Sequence, residues 1–137
     1  LDFLEKRIKE SHSKIEEQYV KIINDSVKEI AGLAKTKVPI GKTHKLEQSI
    51  GYTTYTKADG ASVFADIYYA PYVEFGTGNS FGIPNYTNIN KAKLDSYALT
   101  FKVRKKELIG RPYKPFMFNS YSEVYNKMLK NLKQIKI

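Results

Sequence analysis

The sequence predicts an α+β fold. Three observations point to it. Apolar residues between positions 2 and 37 recur at three- and four-residue steps, those between 46 and 69 alternate around an Asp-Gly turn, and those from 119 to 136 return to helical spacing. At 137 residues the chain can bury one hydrophobic core but not two comfortable ones, so it reads as a single domain spanning 1–137.

The first element is a helix over 2–37. Leu4, Ile8, Ile15, Tyr19, Ile22, Ile23, Val27, Ile30, Ala31 and Ala34 form its stripe, and no proline interrupts it. The stripe is thin before Ile15 and broad from Tyr19 onward. The second half is therefore expected on the core, while the first half projects or meets another subunit. Pro39 ends the helix, because the residue before a proline is pushed out of the helical region.

A sheet region is expected over 44–104. In the first strand, Leu46 to Thr56, the residues Ile50, Tyr52, Thr54 and Thr56 alternate with polar or small neighbours. Asp59-Gly60 centres a turn, and a second strand runs from Ser62 to about Tyr69. Val63, Ala65, Ile67 and Tyr69 share one face of it, and Phe64, Asp66 and Tyr68 share the other. The strand pattern continues through Val73 and Phe75 into a turn at Gly76, with Pro71 marking a sheet edge. Residues 79–95 read as a long loop. Tyr97, Leu99, Phe101 and Val103 then alternate as a third strand. A final helix is expected over 119–136, with Asn119 and Ser120 as candidate caps.

Composition narrows the function classes. The chain has no cysteine, which removes disulfides and any zinc site built on sulfur. No apolar run reaches the roughly 20 residues that cross a bilayer, and the start lacks a signal-peptide pattern, so a soluble protein is expected. The formal charge of +9 is unevenly spread. Basic against acidic residues number 8 to 7 over 1–37, 9 to 6 over 38–110 and 6 to 1 over 111–137. Such a basic end faces nucleic acid, an acidic partner or water.

Two phosphate-binding motifs are suggested and fail. Gly41-Lys42-Thr43 lacks the glycine five positions earlier, where Thr36 stands, and the glycine that should follow Gly76 and Gly78 falls on Phe81. His12 and His44 read as surface residues. Glu74 is the one acid between Tyr68 and Gly78, and without a paired carboxylate, histidine or metal ligand it reads as structural, in a salt bridge or hydrogen-bonded to backbone amides of the turn. No catalytic, cofactor or metal residue is assigned, so no enzyme is expected.

The order of features is similar to that of the bacteriophage head-tail joining proteins, also described as tail-completion, neck or minor tail proteins of long-tailed phages and prophages. The most specific part is Tyr-Ala-x-Tyr-Val-Glu-Phe-Gly-Thr, matched by Tyr69, Ala70, Tyr72, Val73, Glu74, Phe75, Gly76 and Thr77. Pro115 and Phe116 supply a second, shorter match. The chain departs from the family pattern at Gly41 to Lys45, where an Asp-Thr-Gly turn is usual, and in a longer stretch between Gly78 and Pro115. The resemblance implies two helices packed on an antiparallel sheet of three or four strands. It also implies a structural virion protein at the head-tail junction or in the tail, assembled in the host cytoplasm. Its partners would be its own copies in a ring, with a hexamer as one candidate size, a connector or head-completion protein, and a tail-tube or tail-terminator protein. DNA would pass only as cargo, and no membrane is involved. The alternative is a small basic nucleic-acid-binding domain, with Lys102, Arg104, Lys105 and Lys106 as candidate contacts.

Overall fold

The computed structural model describes residues 2–39, 44–76, 89–100 and 114–135. The fold is α+β. In chain order the elements are α1 (Asp2–Lys37), α2 (Lys45–Ser49), β1 (Ile50–Thr56), β2 (Gly60–Ala65), α3 (Ala70–Phe75), α4 (Lys91–Leu99) and α5 (Phe116–Lys133). Among the described residues the sheet has two antiparallel strands, β1 and β2, in place of the three or four expected.

Helix α1 has 36 residues and is therefore about 54 Å long. Its buried residues, Ser26, Val27, Ile30, Ala31 and Ala34, all lie in the C-terminal half. There α5 runs antiparallel to it: Lys37 Nζ lies 2.6 Å from Glu123 Oε1, and Lys127 Nζ lies 3.1 Å from Glu29 Oε2. Both pairs are largely solvent-exposed, so the apolar seam stabilises the helix pair far more than they do. The N-terminal half has no such cover among the described residues, and Phe3, Leu4 and Ile8 are 71%, 58% and 60% exposed.

The hairpin lies along the same helix. The Tyr55 backbone N–H donates to Asn24 Oδ1 at 2.7 Å, and the Tyr19 and Tyr55 rings meet edge to face at 5.4 Å. Ile50 pairs with Ala65, Gly51 with Phe64, Tyr52 with Val63 and Thr53 with Ser62. The Phe64 ring lies over Gly51 so closely that a Cβ there would come within 2.8 Å of ring carbon Cζ. Glycine leaves the room this cross-strand cover needs. Ala31, Ala34, Val38, Leu46, Ile50, Ala70 and Phe116 form the main core, with Val63, Ala65, Ile67 and Tyr69 against it. The inward face expected for the second strand is thus correct, although the strand stops at Ala65.

Four expectations are corrected. Residues 46–49 belong to the short helix α2, and β1 begins at Ile50. The stretch from Ala70 to Phe75 is helical rather than extended, with Pro71 in its first turn and Gly76, at φ 70°, ending it. Proline fits there because the first turn needs no donor from it, and its fixed φ suits the helix. Residues 91–99 form α4, so Tyr97 and Leu99 are helical, while Phe101 and Val103 lie outside the described residues. The alternation at 97–99 is overridden by Leu94 and Ala98, which are buried one helical turn apart, and by Asn90, whose side chain accepts the Lys93 N–H. Of the expected loop 79–95, only 89–95 are described. Finally, α5 starts at Phe116. Asn119 and Ser120 are inside it, and the Ser120 hydroxyl is buried and donates to the Phe116 carbonyl.

Candidate functional site

The residues that match the sequence motif converge on one place, the junction of α3 with the start of α5. Any helix begins with four backbone N–H groups that have no partner within its first turn. In α5 the cap position is Pro115, which has no N–H, so three remain, and all three are accounted for. The Phe116 N–H donates to the Lys114 carbonyl at 2.9 Å, and the Asn119 N–H makes the first regular helical bond, to the Pro115 carbonyl at 3.1 Å. The two between them are taken by Glu74: Met117 N–H reaches Oε2 at 2.9 Å and Phe118 N–H reaches Oε1 at 2.8 Å. Glu74 thus acts as the N-terminal cap of a helix that begins 42 residues later, and α5 has no side-chain cap of its own.

This carboxyl is only 6% exposed. Two effects oppose each other there. Burial disfavours the charged form, while two amide donors and the positive end of the α5 dipole favour it. Burial is the larger, and it pushes the carboxyl up from 4.5 to about 7 against the hydrogen bonds from Phe118 and Met117. With both oxygens engaged by main-chain donors, Glu74 serves as a clamp between two elements. The sequence reading placed its hydrogen bonds on amides of its own turn; they are on amides of the last helix.

The neighbouring motif residues complete the clamp. The Val73 carbonyl accepts the Lys114 N–H at 2.9 Å, tying α3 to the approach to α5. Phe75 is buried, with its ring centroid 5.5 Å from that of Tyr97 and 5.8 Å from that of Phe118, so α3, α4 and α5 share a second small core with Leu94 and Ala98. Ala70 and Phe116 are buried together in the main core. Tyr69 stands at the N-cap position of α3 and packs on that core, while Tyr72 is half exposed. Gly76 takes the left-handed φ that turns the chain away. The two separate sequence matches, Tyr69 to Gly76 and Pro115-Phe116, are therefore two sides of one contact. Thr77 lies outside the described residues, as do Lys102, Arg104, Lys105 and Lys106.

His12 is exposed on α1, and His44 precedes α2 with Nδ1 3.4 Å from Glu47 Oε2. Among the described residues no group of three or more metal-ligating side chains comes together. No helix among them is long and apolar enough to cross a membrane. What the sequence reading missed at the site are the Met117 and Phe118 amides, since main-chain donors leave no residue-type signal. Pro71 at the start of α3 and the buried pair Leu94 and Ala98 in α4 were signals that could have been used.

The geometry defines a class first: an α+β scaffold whose one buried carboxylate in the motif is committed to holding two helices together. The comparisons then give the family. Residues 2–76 match the family described as "Bacteriophage HK97-gp10, putative tail-component", and the chain belongs to that family of phage tail components. Searches among curated proteins and among solved structures found no match.

Proposed function

We propose that the chain is a structural virion protein that joins or completes the head-tail junction of a long-tailed bacteriophage, and that it does so by assembling with its own copies into a ring. The observation that supports this most is the use of Glu74. The best-matched motif supplies its single carboxylate to two backbone amides and leaves neither oxygen for a substrate. Its chemistry is that of a joint, which fits a subunit that bears load and performs no turnover. Membership of a tail-component family supports the virion setting. Copies of the chain, a connector or head-completion protein on one side and a tail-tube or tail-terminator protein on the other are its partners, with DNA as passing cargo.

The test has two parts. Sedimentation of the purified chain, alone and with tail-tube protein, is expected to give concentration-dependent oligomers that resolve as rings by electron microscopy. A phage lacking the gene is expected to accumulate unjoined heads and tails. A chain that stays monomeric under both conditions, together with normal virions from the deletion phage, overturns the proposal.

A further inference from the structure

We draw no further inference here: the strongest candidate, the apolar groove between α1, β2 and α5 lined by Val27, Ile30, Val63, Met117, Phe118 and Met128, carries none, because nothing in the structure shows what covers it.

Discussion

Replacing Glu74 by alanine strips the acceptor from two amides at the start of α5, and the structure allows the cost to be worked out as a function of pH. Leaving a buried donor without a partner costs about 2 kcal/mol, so losing both bonds costs about 4 kcal/mol. Against this stands the burial of the carboxyl. Its titration point is raised from 4.5 to about 7, and at about 1.4 kcal/mol for each tenfold change this makes the charged form about 3 kcal/mol less favourable in the fold than in the unfolded chain. The sign follows from proton counting. Between pH 4.5 and 7 the native state holds more protons at this site than the unfolded state does. The stability it contributes is therefore complete below pH 4.5 and lost as pH rises through 7. Glu74→Ala is expected to destabilise the protein by about 4 kcal/mol at the acid end of this window and by about 1 kcal/mol at pH 8. Urea titrations of both proteins at several pH values measure the difference, with Glu74→Gln as a non-titrating companion of intermediate stability. A penalty that grows with pH would show that the two amides and the helix dipole outweigh burial, reversing the balance argued here. No penalty at any pH would show that the clamp does not hold α5.

Three further substitutions test other parts of the fold. Phe116→Ala empties a site that is 2% exposed at the centre of the main core and is expected to cost about 3–5 kcal/mol by thermal or urea unfolding. Gly76→Ala places a Cβ at φ 70° and should cost about 1–2 kcal/mol without changing the helix content seen by circular dichroism. Lys37→Ala breaks the exposed ion pair with Glu123 and should change stability by less than about 1 kcal/mol, an effect that disappears at high salt.

The long-period features of this fold were legible in the sequence, and the short ones were not. Thirty-six residues of α1 give the helical period many turns in which to show, and its bounds are read to the residue. The hairpin is visible because Asp59-Gly60 sits between two alternating runs. The six residues of α3 make fewer than two turns, so Val73 and Phe75, flanking Glu74, imitate a strand. Tyr97 and Leu99 imitate one in the same way at the end of α4. The start of α5 was misread for a different reason. Local rules look for a Ser, Thr, Asp or Asn beside the helix, which led to Asn119 and Ser120, whereas the cap comes from a residue distant in the chain. At the site itself the motif residues are legible in the sequence, but their joint purpose lies in the bonds from the Met117 and Phe118 amides to Glu74, which chain order does not show.

The remote cap also bears on when the protein can acquire its structure. The donor amides of α5 and the apolar face that packs on α1 are synthesised after Glu74 and after α1. A nascent chain can form α1 and the hairpin early, but it keeps an open core until Phe116 and Val124 arrive, and those contacts close loops tens of residues long. Folding is thereby tied to the synthesis of α5: a chain cut short before it leaves Glu74 and the apolar side of α1 without the α5 groups they contact.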